Sequence, residues 1–579
     1  MSFFDFAWSN SFSITQKDHT KLKVLVSQKY SHPFIGKDEY GYVLYLPKPI
    51  AKKNSYMLNG ISFKNNSLDR QSLVRMFASS VHHLSVHTLT SDFAHYKQWA
   101  KGKDLNLAFF IIELIEDTAV RAYLKLRFKG LLHDVAYSNA LTYLALVPNH
   151  GINSPSLQIQ SAIISQLAVG LYKGLVSDRM KRDVEEIIRK LRNFENLLLQ
   201  SCSSKEINWD NDRALIKWKI KLADKIYNIL IRYGPSTEVA TFPYTDSPGN
   251  SSIFRSSIEL DLDTLAKALF EAYKVIGMQS DLNEVIKTIQ VSSYKDQLLA
   301  IFSTWRAEER KRARLLNFYE KMGKQTEFDE YFFPDEDYAE YLRTYRLYAG
   351  TIRHVIDQLR LVRNSMDENT DQEVGMLDLQ KVIQVLASQK MTTDVFARDE
   401  YLVRSKAWGI LVDSSSSLKA FRNSARAVAL CLSEVAKELT TSTGAWGLYS
   451  FDSRFSIVKD FSEDYNINVK SRIGGIVQGR LSYIPDAIRL TANIIRNSGK
   501  EANYIFVISD GIPNGYPGIE EKLRKTIKDV ENAGVVVVGI GIGSKSIKKY
   551  FRTSLLVETP AELMKKFIRT YFEISASVV

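Results

Sequence analysis

Cysteine is nearly absent from this chain, and so are long apolar runs. Two cysteines, Cys202 and Cys431, stand far apart among 579 residues and in no metal-ligand spacing. That excludes a disulfide framework and a zinc knuckle and favours a reducing compartment. The longest apolar stretches, such as Leu107 to Ile112 and Val535 to Val538, fall well short of the ~20 residues needed to cross a bilayer. The first residues, M-S-F-F-D-F-A-W-S-N, have no basic start and no sustained apolar segment, so no signal peptide is expected. No G-x-x-x-x-G-K-S/T loop occurs either, so any ATP hydrolysis belongs to another chain. A soluble, cytoplasmic protein is the expectation.

What is present is bulk and positive charge. A chain of 579 residues predicts about three to four domains, and 45% hydrophobic residues supply packed cores for them. The formal charge of +12 suits nucleic acid, a membrane surface or an acidic protein, without choosing among them. Residues 1–64 mix aromatics, Gly and Pro and read as a small irregular or β-containing cap, with one strand at Tyr40 to Pro47. Residues 65–394 read as mainly helical, beginning with Leu73, Met76, Phe77, Ser80, Val81 and Leu84 at spacings of three and four. Within them Gly234-Pro235 and T-D-S-P-G-N-S-S (Thr245 to Ser252) predict a flexible loop over 234–252.

Residues 395–579 alternate strand and helix, which predicts a doubly wound, mostly parallel sheet in an α/β domain. Its first strand, W-G-I-L-V, ends in Asp413 and four serines before a helix. A carboxylate and hydroxyls at the C-terminal end of a buried parallel strand sit where open α/β sheets place ligands. The spacing Asp413-x-Ser415-x-Ser417 aims three hard oxygens at one point, the donor set of a small hard cation. Asp and Ser before a helix are also ordinary N-caps, and Asp510-Gly511 alone is a turn signal.

The D-x-S-x-S turn resembles the metal-ion-dependent adhesion site of von Willebrand factor A domains. In G-R-L-S-Y-I-P-D, Ser482 falls where that family carries a Thr, and Asp510 of V-I-S-D-G matches the aspartate ending its fourth strand. The resemblance implies a divalent ion, magnesium foremost with manganese or calcium as substitutes, held by Asp413, Ser415, Ser417, Ser482 and Asp510. It also implies an open position for a partner's carboxylate and no catalytic residues. The helix E-L-I-E-D-T-A-V-R and the segment Y-F-F-P-D-E-D-Y-A-E-Y (Tyr331 to Tyr341) are similar to those of NorD and CbbO type proteins. Members of that subgroup serve MoxR-class AAA+ ATPases as adaptors toward a client enzyme, nitric oxide reductase and Rubisco among them.

Three further features compete for a role. His83 and His87 share a helix face and can bind zinc with Glu113, Glu116 or Asp117. The residue after the first histidine is Leu84 where the zinc-protease motif needs Glu, so hydrolysis is not expected, and packed histidines are the ordinary outcome. Asp117 and Arg121 are spaced for an ion pair on their helix. The basic helix around Arg310 lacks an aromatic stacking platform and interleaves Glu308 and Glu309, so a solvated face is favoured over a nucleic-acid site. Gly539-Ile-Gly-Ile-Gly543 lacks the spacing of a dinucleotide loop and lies on the last strand.

Overall fold

The computed structural model describes residues 2–570 except 19, 203–212, 248–250, 291–292, 367–368, 373–375, 378, 389–395, 399–405, 440–444, 498–501, 560–561, 563–565 and 568. Two compact units emerge, Met1–Lys311 and Arg312–Val579. Among the described residues no helix is long and apolar enough to cross a membrane.

The first unit is mainly helical. Its chain opens with a helix, Phe3–Thr15, where the sequence suggested an irregular start. Ser2 and Asp5 form a reciprocal capping box, and Phe3, Phe4, Phe6 and Ala7 are buried. Two three-stranded sheets follow, and the strand expected near Tyr40 is Tyr42–Pro47, central in the first. Residues 1–64 therefore do not stand apart as a cap. Phe3 packs edge-on against Phe77 of the Ser67–Thr90 helix, with ring centroids 4.7 Å apart.

The 234–252 stretch departs further from expectation. Residues 240–247 are buried, and the Tyr244 hydroxyl bonds Asn139. Glu238 accepts from Ser251 and Ser252, so side-chain hydrogen bonds fold the polar turn formers onto the unit. Residues 248–250 of that stretch lie outside the described residues.

The second unit is built on a seven-stranded sheet. Its order is Thr553–Val557, Val535–Ile542, Ala502–Ser509, Lys406–Asp413, Trp446–Phe451, Phe455–Lys459 and Tyr331–Phe332. All neighbours are parallel except Trp446–Phe451 with Phe455–Lys459. The expected doubly wound α/β sheet is present, with Lys406–Asp413 at its centre. Successive residues of a strand face opposite ways. Trp408, Ile410 and Val412 accordingly join one core with Val428, Leu432 and Val435 of the Arg422–Leu439 helix. Ala407 and Leu411 join the other, with Ile488 and Ile495 of Ile484–Arg496 and Leu523 of Ile519–Asn532.

This unit begins earlier than the expected start at 395. The segment Tyr331 to Tyr341 supplies an edge strand, Tyr331–Phe332, paired with Phe455–Lys459. The Tyr338–Met366 helix then buries Tyr341, Ile352 and Val355 against the sheet core. Around that expected start, residues 389–395 and 399–405 lie outside those described. Cys431 is a free, buried thiol, pushed up to about 12 by burial.

Candidate metal centre

Every parallel strand delivers its C-terminal end to one edge, and that geometry assembles the site. Asp413 pairs with Phe451 in register, and Val412 with Ile508. The loops after Lys406–Asp413 and Ala502–Ser509 therefore meet. A third loop, residues 476–483, crosses to them. Gly479 donates to the Ser414 carbonyl and Ser416 to the Arg480 carbonyl, each at 2.8 Å. Ser482 and Asn514 exchange backbone hydrogen bonds.

Within this frame Asp413 is fully buried. Its Oδ1 accepts the Ser415 N–H at 2.9 Å. Its Oδ2 accepts the Ser482 hydroxyl at 2.8 Å and the Ser509 hydroxyl at 2.7 Å. Ser415 and Ser417 hydroxyls lie 3.0 Å apart. Ser415 and Ser482 are buried and Ser417 is exposed, so the cluster has one wall open to solvent. Asp510 Oδ1 accepts the Ile512 N–H at 3.0 Å and lies 3.5 Å from Ser509 Oγ.

The structure thus joins Asp413, Ser415, Ser417 and Ser482 directly, and Asp510 through Ser509. Ser509 escaped the sequence reading. Its only signal was a further hydroxyl immediately before Asp510, at the end of a parallel strand. Gly511, at φ +75°, turns the chain sharply enough for its N–H to bond Ser509 Oγ at 3.0 Å. A Cβ there would meet Ile547 N at 2.5 Å, so a side chain does not fit.

Burial dominates the electrostatics at Asp413. Burial pushes its carboxyl up to about 6, the Ser415 and Ser509 hydrogen bonds oppose this, and Asp510 adds to the rise. A carboxylate and hydroxyls without nitrogen or sulfur fit magnesium or another hard divalent ion. The helix that follows the serines is split: a 3₁₀ turn, Ser416–Phe421, precedes the α-helix at Arg422.

In the helical unit, His83 and His87 do meet an acidic residue, and it is Asp117. Glu116 is taken by Lys219 and by the Tyr96 hydroxyl, each at 2.7 Å. The expected Asp117–Arg121 pair gives way to others: Arg121 forks Glu195 with bonds of 3.0 and 3.1 Å.

No family model matches the chain, and no curated protein does. Among solved structures it is similar to BatB from Bacteroides thetaiotaomicron, at 16% identity over 30% of this chain and 99% of that one, TM-score 0.25. A von Willebrand factor type A protein from Catenulispora acidiphila gives 16% identity over 30% of this chain and 42% of that one, TM-score 0.24. An aerotolerance-related membrane protein from Bacteroides fragilis gives 15% identity over 29% of this chain and 99% of that one, TM-score 0.23. The second unit is an α/β domain, as its own strand order shows.

Proposed function

We propose that this chain is a non-catalytic adaptor whose von Willebrand factor A unit holds one divalent cation, magnesium foremost, and through it a partner protein. Asp413, Ser415, Ser417, Ser482 and Asp510 hold the ion, directly or through water. Magnesium keeps an octahedral shell and retains waters, which leaves a position for a carboxylate from the partner. The observation that carries this reading is the convergence of Ser482 and Ser509 hydroxyls on one buried Asp413 oxygen.

The surroundings favour protein as the occupant of the open position. Phe421, Val477, Leu481 and Ile512, on the three loops or just beyond them, are exposed apolar side chains. Exposed apolar side chains gathered on one surface mark a site of interaction with another protein. No histidine lies on these loops. The resemblance to NorD and CbbO type proteins supplies the identity of the partners: a MoxR-class AAA+ ATPase, and a client enzyme that its force activates, remodels or loads with cofactor. The absent phosphate-binding loop fits a chain that borrows its ATPase.

The test is affinity purification from native extract in magnesium, beside Asp413→Asn, with copurifying chains identified by mass spectrometry. An AAA+ ATPase and an enzyme complex held by wild type and lost from the folded variant are expected. Identical partners on both would remove the ion from the interaction. Partners without any AAA+ ATPase would keep the metal-dependent contact and reject the adaptor role.

A further inference from the structure

His83 and His87 stand one turn apart on the Ser67–Thr90 helix, so both imidazoles leave the same face. The neighbouring Leu105–Arg127 helix carries Glu113 and Asp117 at the same spacing. His83 Nε2 lies 2.9 Å from Asp117 Oδ1 and 2.9 Å from His87 Nε2. His87 Nε2 lies 3.4 Å from the same Asp117 oxygen. Three ligand atoms therefore enclose one point.

Protons serve this triangle poorly. His87 Nδ1 is 2.9 Å from Ser91 Oγ. With Nδ1–H donating there, neutral His87 presents a lone pair at Nε2. One N–H, that of His83, is then left for two acceptors. A cation answers all three atoms at once.

A separate observation lies on the same helix. Both carboxylate oxygens of Glu113 are buried without a hydrogen-bond partner among the described residues. Lys219 pairs with Glu116, and among the described residues no such cation pairs with Glu113.

We propose that His83 Nε2, His87 Nε2 and Asp117 Oδ1 bind a divalent transition-metal ion of the zinc class. Two imidazoles with carboxylate form the borderline donor set preferred by zinc, iron(II) and cobalt(II), in contrast to the all-oxygen loops at Asp413. Ser91 orients the His87 ring from behind, the arrangement that fixes a metal-binding imidazole. The site lies wholly in the first unit and stands whether or not the adaptor reading does. Leu84 holds the place of the zinc-protease base, so no hydrolytic step is assigned to it.

The experiment titrates chelator-stripped full-length protein, in the Asp413→Asn background, with Co2+ and then Zn2+. One equivalent of Co2+ is expected to bind with a visible absorption spectrum, to be displaced by Zn2+, and to raise the melting temperature. Ser91→Ala should weaken binding about 10-fold or more, and His87→Gln or Asp117→Asn should abolish it while circular dichroism reports the fold. Should those two variants not fold, the Co2+ spectrum and the Ser91→Ala titration decide. Folded protein that takes up no Co2+, or a folded His87→Gln that binds it as tightly, overturns the proposal.

Discussion

At the scale of single residues, the proposed metal centre requires the fully buried Asp413 carboxyl to be ionised. Burial disfavours that charge at Asp413, so its removal costs the metal-free fold little. Asp413→Asn is therefore expected to leave the melting temperature in chelator unchanged or higher, and to lose the rise that magnesium gives wild type. Paired thermal scans with magnesium and with chelator check both halves; a variant that unfolds in chelator well below wild type would make Asp413 a structural residue. Ser509 acts through Asp413, to which its hydroxyl donates at 2.7 Å. Ser509→Ala should weaken magnesium about 10-fold to 100-fold, the usual effect of removing a group that orients a ligand. Calorimetric titration reads this, and an unchanged affinity would show that Ser482 alone suffices to aim the carboxylate.

At the scale of elements, helix pairs in the first unit are joined by buried charge. Glu195 of the Asp178–Cys202 helix meets Arg121 at 3.0 Å and Lys125 at 2.9 Å on the Leu105–Arg127 helix. Burial alone would raise the Glu195 carboxyl, yet the two cations hold it at about 2, below its ordinary 4.5. A carboxyl held low in the folded state stabilises above its unfolded value. That contribution is complete above about pH 5 and is lost as pH falls from 4.5 toward 2. Glu195→Gln should cost about 3 kcal/mol at neutral pH, since it strands Arg121 and Lys125 beside a neutral group. Urea unfolding at pH 7 and again near pH 3 measures it, and the difference between variant and wild type should shrink at the lower pH. The elements themselves were legible to different depths. The strands around Asp413 and Asp510 could be read because runs such as W-G-I-L-V and Y-I-F-V-I-S are buried on both faces and end in polar turns. The first helix could not, because F-F-D-F-A-W has no helical stripe and owes its start to a two-residue cap. The Thr553–Val557 strand is half-exposed at the sheet margin, so no clean apolar run marks it.

At the scale of the whole molecule, the strand and helix pattern puts the start of the α/β domain at 395, whereas packing divides the chain after Lys311. Nothing in the sequence marks the aromatic segment at Tyr331 as a strand, because two residues suffice for its edge pairing, too few for any periodicity. The Tyr338–Met366 helix looked like part of the helical region because its apolar stripe does not say which core it covers. In the structure that stripe, through Tyr341, Ile352 and Val355, closes the same core as Trp408 and Val428. Tyr341 also donates to Glu434, and Arg426 bonds Glu340 at 2.6 Å. A fragment beginning at 395 would lose these partners and expose the apolar side of the Arg422–Leu439 helix that Tyr338–Met366 covers, with the edge of Phe455–Lys459 unpaired. Exposed apolar faces and bare strand edges drive association between chains. The 312–579 fragment should therefore unfold cooperatively as a monomer, and the 395–579 fragment should aggregate or melt at much lower temperature. Size-exclusion chromatography with thermal unfolding of the two compares them directly. Equal stability would mean that Tyr338–Met366 is a dispensable cover, and that the α/β unit begins at 395, where the strand and helix pattern puts it.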